Sequence, residues 1–295
     1  MPQVPSDPAP AVPAPFGARV ARAMAAHGPL CVGIDPHPGL LAAWGLSDDA
    51  AGLRDFSLTV IDALGGQVAA LKPQSALFER HGSAGIAVLE EVVAVARSAR
   101  TLTIVDAKRG DIGSTMAAYA DAYLRDGSPL AGDALTVSPY LGFGSLAPAL
   151  DMAHATGRGL FVLCLTSNAE GVALQHARDG DTSVAGRIAL GAASANRTAR
   201  DHGTLGSIGL VVGATIGDGA HEAGIDLAAV NGPLLAPGVG AQGAGGRELA
   251  AVFGAARSNV LASSSRGVLG AGPDTRGLLA AARRSADDAA TALRA

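Results

Sequence analysis

Apolar residues in this chain alternate between two patterns. Short aliphatic or β-branched runs, each too short for a stable helix, recur between longer stretches with helical spacing. The runs predict strands at residues 30–35 (LCVGID), 68–73 (VAALKP), 101–108 (TLTIVDAK), 134–139 (ALTVSP), 159–166 (GLFVLCLT), 208–215 (IGLVVGAT), 234–240 (LLAPGVG) and 259–265 (NVLASSS). Near-continuous apolarity within a run marks a strand covered on both faces, as in a parallel sheet. Between the runs, GIAVLEEVVAVARSA sets Ile86, Leu89, Val93 and Ala96 at helical spacing, and GRELAAVFGAAR precedes the last run. Ahead of the first run, FGARVARAMAAHG predicts an amphipathic helix that closes the bottom of the domain. Eight strand and helix pairs predict an α/β fold, a (β/α)8 TIM barrel, with residues 16–295 as one domain.

Residues 1–15 carry six prolines and no Lys or Arg, a composition that builds no core, and are expected to form a flexible extension. Net charge is −4 and spread along the chain, so no basic stripe attracts a nucleic-acid backbone. No apolar run approaches the ~18 residues of a membrane span. Cys31 and Cys164 each sit within an apolar run, without metal-ligand spacing, and read as core residues of a protein in a reducing compartment. The expected location is the cytoplasm.

One count changes the picture. Of 22 basic residues only two are Lys, Lys72 and Lys108; the rest are Arg. Arg stays protonated in proteins, whereas Lys can surrender a proton, so lysines kept at two special places suggest proton chemistry. Both close a predicted strand. So do Asp35, Asp106, Thr166 to Asn168, Thr215 and Ser264 to Arg266, and in a parallel barrel such ends converge on the face that carries catalysis.

In VDAKRGD, Asp106 and Lys108 lie two apart on a strand and project to one side, while Asp111 and Thr115 follow beyond it. Buried ion pairs are poor stabilisers, so a charged cluster at a strand mouth points to function rather than to stability. Flanking carboxylates favour the charged ammonium, which suits Lys108 to meeting a developing anion and then protonating it. A Schiff-base lysine needs the reverse. Lys72 extends the series to Lys, Asp, Lys, Asp.

GVGAQG formally matches a dinucleotide fingerprint, but it sits near the chain's end and the next strand finishes in SSSR rather than an acid. A phosphate grip fits better. The loops after the seventh and eighth strands of barrels commonly hold phosphate, here through Gly240, Gln242 and Gly243 with Arg266. His37 lies alone near a strand end, and no Ser, His and acid set is evident, so no metal, cofactor or covalent nucleophile is expected.

DAKRGDIGST, with VGIDP, LKPQSALFE, LTVSPYLG, LCLTSN, VVGAT, PGVGAQG and SSSRG in this order, resembles the orotidine 5'-phosphate decarboxylase family, specifically its bacterial type 2 branch of longer chains. The likeness runs from about residue 28 to 270, with serines at 138 and 263 where the pattern favours Asn. The resemblance implies conversion of orotidine 5'-phosphate to UMP, the final step of de novo pyrimidine nucleotide synthesis, without a cofactor. It implies that Lys108 protonates C6 of the pyrimidine as CO2 leaves, beside Asp106. Lys72 and Asp35 would hold ribose hydroxyls, Ser167 the base, and Gln242 and Arg266 the phosphate. Asp111 and Thr115 would reach a partner subunit's site, making the unit a homodimer. The segment around 168–181 and the loop after the seventh strand are candidate lids. Three alternatives stay open on the residues themselves: a metal-dependent sugar-phosphate decarboxylase or aldol-type synthase on a related barrel, a Schiff-base aldolase, and a non-catalytic barrel that binds a nucleotide phosphate.

Overall fold

The computed structural model describes residues 14–239 and 246–294. All eight predicted strands form, as β1 (Leu30–Ile34), β2 (Ala70–Pro73), β3 (Leu102–Arg109), β4 (Ala134–Val137), β5 (Gly159–Leu165), β8 (Ile208–Val212), β9 (Leu234–Pro237) and β10 (Val260–Ser264). They pair in parallel and close into a barrel in the order β1-β10-β9-β8-β5-β4-β3-β2. Helices follow the strands around the outside, so the fold is the (β/α)8 TIM barrel that the alternation predicts. Several strands end earlier than expected: Ser138, Pro139 and Gly238 have already left the ladder for the loops of the mouth.

Two additional strands were not foreseen. The segment after β5, expected to be a long connection, folds into a helix at Ala169–Gln175 and a small antiparallel hairpin of β6 (Arg178–Asp179) and β7 (Thr182–Ser183). These two-residue strands lie below the length at which a periodic pattern can be read. The hairpin leads into the helix Val184–Ala195, whose start is capped by the Ser183 hydroxyl accepting from Gly186 N at 2.9 Å.

The predicted first helix spans Phe16–His27 and lies across the bottom of the barrel. Phe16 and Val20 are fully buried there, in a cluster with Cys31, Ala69, Ile104, Ala134, Phe161, Val211, Leu235 and Leu261 from all eight barrel strands or their approaches. Phe16 and Phe161 meet edge to face, ring centroids 5.8 Å apart. Glycine is required where the rings approach the wall: a Cβ on Gly159 would stand 2.2 Å from the Phe16 ring, and one on Gly209 would stand 2.8 Å from Phe161. Arg19 fixes the helix by pairing with Asp133 and donating to the Gly157 carbonyl at 3.0 Å.

Outside the barrel a larger apolar cluster binds helices to strands. In the helix Gly82–Ser98, Leu89, Val93 and Ala96 are buried as their spacing predicts, joined by Val88 and Val92, while Ile86 is only half-buried at the edge of the stripe. Both cysteines are buried free thiols, Cys31 inside the barrel and Cys164 beneath the helices; burial pushes each thiol up to about 12, so they are inert packing residues. No helix among the described residues is long and apolar enough to cross a membrane.

Because Phe161 fills the barrel axis and touches the plug helix, Phe161→Ala is expected to lower the free energy of unfolding by about 3–5 kcal/mol. Equilibrium urea denaturation checks this, and a loss below about 1 kcal/mol would mean that the axis repacks.

Candidate active site

The C-terminal ends of the strands enclose a cavity of about 500 Å³. Its floor is Val211 and Leu235, the top of the apolar plug, and its wall is polar. Both lysines of the chain open into it. The Asp106 carboxylate lies between them: Lys72 Nζ donates to Oδ2 at 2.6 Å and Lys108 Nζ to Oδ1 at 2.6 Å. Lys72 and Asp106 are enclosed, with side chains 9% and 8% exposed, whereas the Lys108 side chain is 44% exposed and faces the cavity.

Two neutral groups complete the carboxylate's shell. Thr136 Oγ1 donates to Oδ1 at 2.9 Å and Gln74 Nε2 to Oδ2 at 3.2 Å, so both oxygens are doubly satisfied. Burial disfavours the Asp106 anion, yet Lys72 and Lys108 outweigh it and hold the carboxyl at about 2. Burial likewise works against the Lys72 ammonium, but Asp106 and then Asp35 hold its pKa above the ordinary lysine value. A lowered acid adds stability above its unfolded value and loses it as pH falls towards 2; a raised lysine adds stability that is lost only in strong alkali. From roughly pH 4 to pH 10, therefore, Asp106 and Lys72 keep their charges.

Lys108 holds its position against a backbone cost. Its φ is +48°, a left-handed conformation that a side-chain-bearing residue adopts at a cost of about 1–2 kcal/mol. The strand periodicity that placed Asp106 and Lys108 on one side reached the right contact by an incomplete route, because the β3–β4 register shifts between Val105 and Arg109. Asp35, at the end of the strand next to that of Lys72, lines the cavity with its Oδ1 buried and unpartnered among the described residues, as is Ser265 Oγ. Arg266 lines the rim, exposed, and its guanidinium makes no hydrogen bond or ion pair among the described residues.

The other expected site residues lie elsewhere. Asp111 and Thr115 are outside the cavity: Asp111 Oδ1 accepts from Ile112 N at 2.7 Å, and Thr115 is exposed on the first turn of the helix Gly113–Leu124. Within the chain the charge series therefore stops at Lys108. Ser167 is exposed on the loop after β5, packed towards Gly213, and does not line the cavity. Gly240, Gln242 and Gly243 lie outside the described residues, while Gly238 and Val239 before them border the cavity. Gln74 and Thr136 were given no role from sequence, and Ser264 and Ser265 only a place among the strand-end residues of the mouth. The signal for the first two was present, as polar residues at strand ends or inside an apolar run, but which face they occupy depends on register. Among the described residues no three His, Cys, Asp or Glu side chains gather as a metal-ligand set.

Chemically, the Lys108 ammonium is held at a fixed place in the cavity wall, paired to Asp106 and open to the cavity, ready for an anion. Residues 28–281 match the model of the orotidine 5'-phosphate decarboxylase / HUMPS family. The chain is 59% identical to the orotidine 5'-phosphate decarboxylase of Salinispora arenicola, over 94% of this chain and 98% of that one. It is 57% identical to that of Streptomyces coelicolor, over 95% and 99%. A crystal structure of a candidate orotidine 5'-phosphate decarboxylase from Streptomyces avermitilis superposes with a TM-score of 0.90 at 59% identity, covering 96% of this chain and 97% of that one. Leishmania donovani OMP decarboxylase superposes with a TM-score of 0.70 at 29% identity, covering 94% and 98%. With its barrel, its shared carboxylate and these matches along nearly its whole length, the chain belongs to the orotidine 5'-phosphate decarboxylase / HUMPS family.

Proposed function

We propose that this protein decarboxylates orotidine 5'-phosphate to UMP, with Lys108 as the proton donor. The observation that carries the reading is the Lys72–Asp106–Lys108 cluster, held at 2.6 Å contacts in the wall of one cavity with Arg266 at its rim. Loss of CO2 from C6 leaves a carbanion in the plane of the ring without a conjugated sink, so the site has to stabilise charge directly. A fixed ammonium does this without reorganisation, and the same group then delivers its proton to C6. Lys108 is suited to the role because its Nζ reaches into the cavity, whereas Lys72 is enclosed behind Asp106 and balances that carboxylate.

Substrate groups find complementary partners around the cluster. Asp35, with a buried unpartnered oxygen, accepts from ribose hydroxyls, with Lys72 beside it. Arg266 grips the phosphate, together with Gln242 and the glycines 240 and 243 that follow β9 in sequence. Phosphate held far from the reacting carbon aids catalysis when its binding energy closes the site. Ser167 reaches the base only once the segment after β5 moves inward. The helix Ala169–Gln175 is the moving part of that segment: it buries none of its residues and exposes Val172 and Leu174.

The working unit is a homodimer with a shared site. Asp111 and Thr115, outside this chain's own cavity, extend the charge network of the partner's. Ile112, Tyr140 and Leu141, 61%, 76% and 53% exposed, form an apolar surface beside Asp111. The two loops that carry them are joined, since Ser138 N donates to the Arg109 carbonyl at 2.8 Å. A second copy covering these side chains removes them from water and brings Asp111 to its neighbour's lysines.

Added protein is expected to consume orotidine 5'-phosphate, read as the fall in its ultraviolet absorbance with release of CO2; a stable absorbance under conditions where the nucleotide binds would leave a binding protein. Lys108→Ala is expected to lower kcat by about 100- to 10,000-fold with the fold intact by circular dichroism. Near-normal turnover would remove Lys108 from the mechanism. Arg266→Ala should weaken binding of the nucleotide roughly 10- to 100-fold and leave the free nucleoside unaffected, measured by calorimetry; equal losses for both ligands would deny it the phosphate. Mixing inactive Asp111→Ala and Lys108→Ala subunits should restore activity through hybrid sites, and no recovery after demonstrated subunit exchange would count against the shared site.

A further inference from the structure

The catalytic wall rests on a break in the sheet. β3 and β4 pair in step at Ile104 with Ala134 and at Val105 with Leu135, and next at Arg109 with Val137. Four steps along β3 are thus spanned by two along β4, and the surplus chain holds Asp106 and Lys108. On the other side Asp106 still pairs with Gln74, so the irregularity is confined to the β4 edge. Lys108 absorbs it with φ +48°. Glycine takes this conformation readily, but glycine has no ammonium, so another contact has to hold the lysine there.

That contact is Thr136, the residue of β4 between the two registers. The Lys108 amide, thrown off the ladder, donates to Thr136 Oγ1 at 2.9 Å, and the Thr136 hydroxyl donates to Asp106 Oδ1 at 2.9 Å. An amide can only donate and an ionised carboxylate can only accept, so the direction of both bonds is determined. Asp106 Oδ1 is also the oxygen that receives Lys108 Nζ at 2.6 Å. The bonds form a ring from the Lys108 backbone through Thr136 and Asp106 back to the Lys108 ammonium. Thr136 is 1% exposed, and its β-branched side chain has little rotamer freedom to lose.

We propose that Thr136 is a positioning residue for the reaction: its single hydroxyl replaces the missing ladder bond, stabilises the left-handed turn at Lys108 and so aims the ammonium at the reacting carbon. The inference rests on the reading that Lys108 delivers the proton, but the geometry it invokes can be measured apart from turnover. Thr136→Val keeps the shape and branching while removing both hydrogen bonds, and Thr136→Ser keeps the hydroxyl.

Thr136→Val is expected to lose about 100-fold in kcat, as for an ångström-scale misplacement of a catalytic group, with KM little changed. Thr136→Ser should recover most of that loss. Crystal structures should find the Lys108 backbone out of the left-handed region in Thr136→Val and unchanged in Thr136→Ser; Thr136→Ala carries the same measurement if valine does not fold. Wild-type kcat in Thr136→Val, or an unmoved Lys108 in that crystal, would overturn the positioning role. So would a serine variant as impaired as the valine one. Should the unaltered protein fail to decarboxylate orotidine 5'-phosphate, the functional reading falls, while the crystal structures still decide whether Thr136 holds Lys108.

Discussion

A single carboxylate serving two ammonium groups is the constraint around which the mouth of this barrel is arranged. Asp106 is removed from water, and its charge is tolerable only because Lys72, Lys108, Gln74 and Thr136 occupy its lone pairs from three different strands or strand ends. Remove Asp106 and the enclosed Lys72 ammonium loses its ion-pair partner in a poorly solvated wall. The arrangement is tight, and its value lies in the Lys108 ammonium held at a fixed place before any substrate arrives.

Apolar packing dominates the opposite end. The helix Phe16–His27 closes the bottom, Phe16 and Phe161 fill the axis, and small residues such as Cys31, Ala69 and Ala134 leave room for those rings. Higher in the same barrel Val211 and Leu235 belong both to that plug and to the cavity floor. Apolar packing below and charge above are thus consecutive layers of the same strands. The rigid lower layer is what allows β3 to carry a register break and a left-handed lysine near its end without losing its place.

Much of this was legible in the chain. Eight apolar runs were enough to read the barrel, since strands covered on both faces have few polar residues to obscure them. The scarcity of lysine marked Lys72 and Lys108, and spacing joined Lys108 to Asp106. Other parts were not legible, each for a physical reason. Thr136 and Gln74 matter through register, which a list of strands does not specify. The hairpin of β6 and β7 is too short for a period. Ser167, Asp111 and Thr115 follow strands that end at the mouth, yet their side chains depend on loop paths beyond those ends, and they lie away from the cavity.

By itself the sequence determined which residues are apolar and at what interval, and hence the strand and helix alternation, the parallel closed sheet and the face on which charged residues collect. These follow from local periodicity and from the steric rules of parallel connection, which act on any chain with this pattern. Only the tertiary structure decided that both lysines meet on one carboxylate, that Thr136 bridges the break between β3 and β4, and that Asp111 turns away. Those outcomes depend on distances of a few ångströms between segments remote in the chain, where hydrogen-bond and ion-pair energies are steep functions of position and the sequence carries no coordinate.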